Sequence, residues 1–112
     1  MVHRHAAYLA LLPALLALPA IAQLRVPPIP EDSRRGVIRH LEEMAVAVDD
    51  KAMQLAAGAQ IRNPQNLIIV PTAIPRSGVW ADYILNTEGQ IFRVWLLTPD
   101  ELARPKPKSG GK

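Results

Sequence analysis

Two apolar runs joined by a short polar turn occupy Val79–Thr98 and constrain the fold more than any other stretch of the chain. The turn, Asn86-Thr87-Glu88-Gly89, has Asn at its first position and Gly at its fourth. This arrangement is typical of a type I turn that is closed by a Gly in the left-handed conformation. The stretch therefore predicts a β-hairpin, and it contains both Trp and the only Phe of the chain.

The turn sets the register of the predicted hairpin. It pairs Asn86 with Gln90 and Leu85 with Ile91, and the ladder that continues from these pairs leaves both faces of the hairpin mostly apolar. A sheet that is apolar on both faces needs cover on two sides. We therefore expect the hairpin to belong to a small barrel or sandwich.

A register shifted by one residue is the alternative. It would place Trp80 opposite Trp95 and Asp82 opposite Arg93, and both pairs are attractive across neighbouring strands. We favour the register that the turn sets, in which Trp95 lies on the same face as Tyr83. We also expect Asp82 to pair with Arg93 rather than to be an isolated buried acid.

The start of the chain has the pattern of an export signal. Met1–His5 is basic, Ala6–Pro19 is an Ala/Leu run without charge, and Ala20-Ile21-Ala22 is a small-x-small cleavage site, which predicts a mature chain beginning at Gln23. An uncleaved anchor is the alternative, but the apolar run of about 15 residues is shorter than the roughly 20 that span a bilayer. We therefore predict a Sec-type signal peptide, a periplasmic or secreted bacterial protein, and no transmembrane anchor after cleavage.

Composition divides the chain into four parts. The predicted signal peptide (residues 1–22) precedes a Pro-rich extended lead-in (residues 23–35), a small β domain (residues 36–103) and a basic disordered tail (residues 104–112). The β domain contains five basic and eight acidic residues. The tail has four basic residues and no acid, namely Arg104, Lys106, Lys108 and Lys112. The positive charge of the chain therefore belongs to its ends.

The first part of the domain is ambiguous between helix and strand. Gly36–Val48 has apolar residues at helical spacing, but it also fits two strands near Val37–Leu41 and Met44–Val48, and we favour the strands. Asp49-Asp50 predicts a tight turn after them, and Ala57-Gly58 predicts a break in the next strand.

The second part of the domain contains clearer turn signals. Asn63-Pro64-Gln65-Asn66 predicts a turn between two strands, Pro71–Gly78 predicts a loop, and Thr98 with Pro99 predicts the capped start of one helical turn. Turn residues spaced in this way indicate a mainly β domain, a small antiparallel meander that is barrel-like or sandwich-like, with disordered tails.

Cys is absent from the chain, which removes disulfides, thiol catalysis and Cys-type metal sites. An exported protein without disulfides fits the bacterial envelope. A domain of about 70 residues has a thin core and is marginally stable without a staple or a partner. We therefore expect self-association, or binding to an envelope protein or glycan, and we expect neither a cofactor nor a nucleic-acid partner.

The pattern over Lys51–Glu101, about half of the chain, resembles small exported proteobacterial proteins of uncharacterised function. The residues that carry the resemblance are Leu55, Gly58, Ile61-Arg62, Asn66, Ile68, Pro71, Ile74-Pro75, Tyr83, Leu85, Gly89, Arg93-Val94-Trp95 and Leu97-Thr98. They are mostly apolar and turn residues, as in a fold signature. The resemblance implies export and a small β fold, and it implies no catalytic activity.

No catalytic residue and no metal site is predicted. His40 is the only His after Gln23, and the Ser residues of the mature chain lie in loops or tails, so no nucleophile with an oriented base can be assembled. The acid pairs Glu42-Glu43 and Asp49-Asp50 lack the alternating spacing of a calcium loop and are expected to be solvated.

Aromatic residues and Arg in and near the hairpin are the best candidates for binding, because together on a sheet face they stack rings or seat a peptide. The predicted binding residues are Trp80, Trp95, Arg62 and Arg93, although a role as core residues is the simpler interpretation. Three functional hypotheses follow. The first is a non-enzymatic binding or interaction module of the bacterial envelope. The second is a binder of anionic envelope polymer or lipid through the basic tail and an aromatic/Arg face. The third is a small hydrolase.

Overall fold

Six strands form one mixed sheet in the computed structural model of the chain, which describes residues 24–106. The predicted signal peptide, its cleavage site and the last six residues of the predicted tail lie outside the described residues. The strands are β1 (Arg34–Glu42), β2 (Ala45–Val48), β3 (Lys51–Arg62), β4 (Ile68–Ile69), β5 (Val79–Leu85) and β6 (Ile91–Leu96). A 3-10 turn (Pro71–Ala73) precedes β5, and a short helix, α1 (Pro99–Ala103), follows β6.

The sheet closes on itself. Its strand order is β2-β1-β5-β6-β3-β4, and β2 also pairs with β3, so five strands form a barrel from which β4 extends beside β3. Every strand pair is antiparallel except β3 with β6. The predicted mainly β fold is confirmed, and of the two predicted forms the chain adopts the barrel. The predicted antiparallel meander is not observed, because β3 and β6 are parallel and several neighbouring strands of the sheet are not consecutive in the chain. A five-stranded Greek-key barrel is the architecture of OB folds, and this likeness of topology carries no function by itself.

The strands favoured for residues 36–48 are confirmed as β1 and β2. A two-residue turn at Asp49 and Asp50 joins β2 to β3, and both residues have positive φ, 50° and 68°, as a type I′ hairpin turn requires. The Asp49 carboxylate accepts a hydrogen bond from the backbone N–H of Val37 at 2.9 Å. It lies above Gly36, where a Cβ would come within 2.8 Å of its Oδ2, so the turn and this Gly depend on each other.

The predicted break at Ala57-Gly58 is wrong, because β3 runs through it without interruption. Gly58 has φ +79° and lies at the irregularity in the pairing of β3 with β6, between Leu55 and Gln60. Such a bulge bends a strand and increases its twist. The bend lets one strand pair first with β2 and then with β6, which closes the barrel.

The turn of the main hairpin is confirmed. The N–H of Asn86 donates to the carbonyl of Gln90 at 2.8 Å, Leu85 pairs with Ile91, and Gly89 has φ +80°. The Asn86 side chain also accepts from the N–H groups of Glu88 and Gln90. These bonds explain why Asn is favoured at the first turn position.

The register beyond the turn differs from both predicted alternatives. A bulge at Phe92 shifts the ladder so that Ile84 lies opposite Arg93, Asp82 opposite Trp95 and Ala81 opposite Leu96. The pairs expected from the one-residue slip therefore do not form. The shift turns Val94 and Leu96 into the barrel and leaves Trp95, also buried, outside the core cluster. The predicted alignment of Trp95 with Tyr83 on one face is wrong, because the bulge adds a residue between the turn and Trp95.

The barrel interior holds an aliphatic core with one buried Tyr. Its buried members are Ile38, Val46, Val48, Leu55, Ile61, Ile74, Ala81, Tyr83, Ile91, Val94 and Leu96. Burial raises the pKa of the Tyr83 hydroxyl above its ordinary value. Thr98 caps α1, since its side chain accepts from the N–H of Glu101 while the Glu101 carboxylate accepts from the N–H of Thr98. The predicted cap is therefore confirmed.

Candidate functional site

The four predicted binding residues do not form one exposed surface. Trp80 is exposed, as its position after the Pro/Gly loop suggested, with 43% of its surface accessible, but Trp95 is buried at 8%. Arg62 lies beside Trp95 in the ladder of β3 and β6 and donates to the backbone carbonyl of Asn66 at 2.7 Å. The Arg93 guanidinium lies 3.8 Å from the centre of the Phe92 ring. Only Trp80 therefore presents a large open aromatic surface.

Asp82 is buried, with 2% of its surface accessible, and its partners are not the predicted one. Arg35 of β1, which lies opposite Asp82, donates to both of its carboxylate oxygens, at 2.8 and 3.2 Å. The Lys106 ammonium lies 3.5 Å from the same carboxylate and also donates to the Ser33 hydroxyl. The expected pair of Asp82 with Arg93 is wrong, because the shifted ladder places Arg93 opposite Ile84.

The Arg35–Asp82 ion pair links β1 to β5 and has a structural role. Hydrogen bonding to Asp82 raises the pKa of the Arg35 guanidinium, and burial opposes that effect only in part. Arg35 also donates to the backbone carbonyl of Arg104 at 2.9 Å. The carboxylate therefore holds β1, β5 and the segment after α1 together.

A second buried ion pair joins the two ends of the described chain. Arg25 donates to both carboxylate oxygens of Glu101, at 2.7 and 2.8 Å, and to the backbone carbonyls of Asn63 and Leu96. Burial alone would raise the pKa of Glu101, but its hydrogen bonds from Arg25 and Thr98 together lower it. The lead-in segment is thus part of the domain. Its Arg25 links two segments that are far apart in the sequence, as a disulfide would.

His40 has a structural position in the described chain. It is buried, and its Nε2 lies 3.0 Å from the carbonyl oxygen of Glu43, a residue with φ 52° in the turn between β1 and β2. In the acid pair Asp49-Asp50, the Asp49 carboxylate accepts a hydrogen bond from the Val37 N–H. Asp50 lies 3.7 Å from Arg39 in an exposed ion pair. Pairs of this exposure contribute little to stability.

Two grooves follow the lead-in segment. The larger, about 470 Å³, runs between this segment and the residues after α1, and it is lined by Leu24, Arg25, Val26, Pro28, Ile29, Pro30, Glu31, Arg35, Asp82, Glu101, Arg104, Pro105 and Lys106. The smaller, about 230 Å³, runs between the lead-in segment and the turn before β4. Asn66 of that turn donates to the backbone carbonyl of Val26 at 3.3 Å. The two grooves therefore share one wall, which is formed by Leu24, Arg25 and Val26.

Exposed aliphatic side chains occur on the two segments that the Asn66–Val26 hydrogen bond links, the lead-in segment and the run that contains β4. We name the set the apolar corner; it consists of Leu24, Val26, Leu67, Ile68 and Val70, whose accessible surface ranges from 57% to 83%. Ile68 and Val70 point away from the barrel because Ile69 between them packs on the core. Soluble domains rarely leave large aliphatic side chains together in water without a function. The apolar corner is therefore the strongest candidate for a binding surface.

Sequence reasoning missed both the ion pairs and the apolar corner. The sequence pattern predicts an ordinary strand at Leu67-Ile68-Ile69-Val70 and places Arg25 in an extended lead-in. One signal was present in the sequence, since residues 63–75 carry no charge while Arg62 and Arg76 flank them. The pairing of Arg25 with Glu101, 76 residues away, leaves no such signal.

The barrel face that OB folds use for oligonucleotides and oligosaccharides lacks aromatic residues here. That face comprises the second and third strands. β2 and β3 contain no Phe, Tyr or Trp, and the exposed residues of β3 are Lys51, Ala52, Gln54, Ala57 and Gly58. Stacking of bases or sugar rings needs an aromatic platform.

Comparisons with known proteins add no relative. No protein-family model matches the chain, and no curated protein and no solved structure matches it significantly. Within residues 24–106, no helix is long and apolar enough to cross a membrane.

Proposed function

We propose that the chain is an exported, non-enzymatic β-barrel that binds a partner in the bacterial envelope through the apolar corner. The observation that carries this proposal is the exposure of five large aliphatic side chains on two linked segments of a domain whose core is small. Burying such a group against a partner is favourable in proportion to the apolar area removed from water. The export signal predicted for residues 1–22 supplies the location.

The arrangement of the polar residues favours binding over catalysis. The buried side chains of Arg25, His40, Asp82 and Glu101 each have a hydrogen-bond or ion-pair partner within the described chain. A catalytic acid or base needs access to a substrate and a free position for its proton. These groups serve the fold instead, and the hydrolase hypothesis gains no support from them.

The aromatic/Arg face of the second hypothesis is also not favoured. Its four residues lie on three strands with different exposures, and Arg62 and Arg93 are engaged with the backbone of Asn66 and Phe92. The part of that hypothesis that concerns lipid and the basic tail does not depend on this face.

Site-specific photo-crosslinking in the native host tests the proposed surface. A photoreactive Phe analogue at Ile68 should form a covalent adduct with an envelope component, identified by mass spectrometry. The same analogue at Thr87, which is exposed at the tip of the β5–β6 turn, is the matched control and should form none. Equal adducts at both positions, or none at Ile68, would contradict the proposal.

A folded His40→Ala variant separates the binding hypothesis from the hydrolase hypothesis. It should keep the Ile68 adduct and the biological role of the protein, because His40 contacts a turn and not the apolar corner. Loss of the role in a variant that still melts cooperatively would restore the hydrolase hypothesis.

A further inference from the structure

The Lys106 side chain is inserted into the domain although the two residues before it are exposed. Its side chain is 16% accessible, whereas Arg104 and Pro105 lie at the surface. Lys is rarely buried to this extent unless its ammonium group has partners. The segment Arg104–Lys106, which we name the strap, therefore directs one long side chain into the barrel and leaves its other residues in contact with solvent.

Two hydrogen-bond acceptors lie beside the Lys106 ammonium group. Its Nζ donates to the Ser33 hydroxyl and lies 3.5 Å from Oδ2 of Asp82. Ser33 is fully buried, and its Oγ donates its own proton to the carbonyl of Pro30 at 2.8 Å. The hydroxyl therefore only accepts from Lys106, and an ionised carboxylate only accepts as well. We name Ser33 and Asp82 the ammonium niche, because this pair of acceptors suits a cationic donor.

The ammonium niche does not depend on Lys106 for its own partners. Arg35 donates to both carboxylate oxygens of Asp82, at 2.8 and 3.2 Å, while the Lys106 ammonium is farther away. Removing one partner of a buried ion pair is costly when it leaves the other charge without compensation. When Lys106 leaves, Asp82 keeps Arg35 and Ser33 keeps Pro30. The strap is therefore the replaceable member of this cluster.

Lys suits the ammonium niche better than Arg does. A guanidinium group binds a carboxylate through two parallel hydrogen bonds, and Arg35 already makes such a pair with Asp82. An ammonium group is a compact charge with three rotatable donors. It can divide its hydrogen bonds between the Ser33 hydroxyl and the remaining side of the carboxylate. The niche therefore discriminates between the two cations.

The larger groove continues from the ammonium niche. Asp82 and the strap line it together with Pro28–Pro30 of the lead-in segment. A second polar contact of the strap is made by the Arg104 carbonyl, which accepts from Arg35 at 2.9 Å. A chain that places a Lys in the niche can therefore also contact the walls of the groove, as the strap itself does.

We propose that the ammonium niche is a binding site for a lysine side chain, and that the strap is an internal ligand which a Lys-containing segment of a partner protein replaces. The partner's ammonium group takes the position of the Lys106 Nζ, and its backbone contacts the groove. An internal ligand on a short linker acts at a millimolar effective concentration, so the partner also needs the groove contacts to compete. The inference does not rest on the proposed function, because Ser33 and Asp82 are not part of the apolar corner.

Chemical rescue of a chain of residues 23–112, which includes every described residue, tests the niche. Lys106→Ala removes three methylene groups and the ammonium group, which together correspond to n-propylammonium. This ion at about 50 mM should raise the melting temperature of the variant by about 2 °C or more above the effect of equal tetramethylammonium, which has no N–H donor. Lys106→Met keeps a stem in place and should respond equally to both ions. Equal responses to both ions in Lys106→Ala would overturn the inference.

Ser33→Ala in the Lys106→Ala chain assigns the rescue to the niche. Asp82 also holds Arg35, so Ser33 is the better position to change, and its backbone N–H still donates to the Pro30 carbonyl at 3.2 Å. The double variant should melt cooperatively and should lose at least about half of the rise with n-propylammonium, because one of two acceptors is gone. An unchanged rise would overturn the assignment of Ser33.

A peptide titration tests replacement of the strap. Acetyl-Arg-Pro-Lys-amide has the sequence of the strap, and its binding is followed by the NMR shifts of the Ser33 and Asp82 backbone amides. It should bind the Lys106→Ala chain at least about tenfold more tightly than the parent, whose own Lys106 competes. The same peptide with Nε-acetyl-lysine should bind the variant at least about tenfold more weakly, since its charge is lost. Equal affinities of the two peptides, or no saturable binding of the first, would overturn the inference.

Discussion

Gly36 and Gly89 are constrained for different physical reasons. At Gly36 the backbone is ordinary for strands, but a Cβ would lie 2.8 Å from Asp49 Oδ2 and 3.1 Å from Val48 Cγ1. At Gly89 there is open space around the missing Cβ, but φ is +80°. A side chain at the first position would require the Asp49 carboxylate to move, and a side chain at the second would be strained by the backbone conformation.

Gly89→Val should lower the free energy of unfolding by about 1 kcal/mol or more, because a β-branched residue resists positive φ. Urea denaturation of the variant and the parent measures the difference. Gly89→Asn is the matched control and should cost less, since Asn tolerates the left-handed region. A Val variant as stable as the parent would mean that the turn does not need positive φ at this position.

Buried ion pairs link both terminal segments to the barrel. Arg25 and Glu101 have side-chain exposures of 4% and 11%, and the carboxylate also completes the cap of α1 through Thr98. Removing one partner of a buried ion pair leaves the other charge without compensation. The lead-in segment and α1 are therefore expected to detach together.

Glu101→Gln keeps the shape and the capping hydrogen bond but removes the charge, and it should lower the free energy of unfolding by about 3 kcal/mol. The pKa of Glu101 is lowered from its ordinary 4.5 in the folded state, so its contribution is present above that pH and is lost as the pH falls through the folded pKa. Stability of the parent should therefore drop more steeply below pH 4.5 than that of the variant. Glu31→Gln, at an exposed acid of the same segment, should match the parent; an equal effect of both variants would contradict this assignment.

Two truncations test the contacts that Arg104 and Lys106 make with the barrel. A chain that ends at Ala103 loses Lys106, a partner of buried Asp82, and the Arg104 carbonyl that accepts from Arg35, so it should be less stable by about 1–3 kcal/mol. A chain that ends at Lys106 loses none of the contacts described above and should melt like the parent. Thermal melting of both checks this, and equal melting temperatures would show that the Lys106 contact contributes nothing.

At the scale of the whole molecule, the predicted export signal specifies where the mature chain should begin. Removal of residues 1–22 should give a mature protein that begins at Gln23. Mass spectrometry should detect this N-terminus as Gln or pyroglutamate. Cleavage there keeps Arg25, the buried partner of Glu101, in the mature chain. Mature protein from the envelope that still begins at Met1 would contradict the predicted signal peptide.

Features that depend on neighbouring residues could be predicted from the sequence. The Asn86–Gly89 turn, the turn at Asp49-Asp50, the Thr98 cap and the mainly β character each depend on residues within a few positions of one another. Steric limits on φ and short-range hydrogen bonds determine these features. Neither requires a contact between residues that are distant in the sequence. The uncharged run at residues 63–75 is visible in the sequence, but its exposure on the folded domain is not.

The other features depend on contacts between distant residues, so only the tertiary structure determines them. The shift at Phe92, the continuity of β3 through Gly58 and the partners of Asp82 depend on how five strands close into a ring. Closure couples the registers of all the strands, so a pairing that is good for one hairpin gives way to one that satisfies the barrel. The apolar corner was decided in the same way, because the link between Arg25 and Glu101 crosses 76 positions and brings the lead-in segment beside β4.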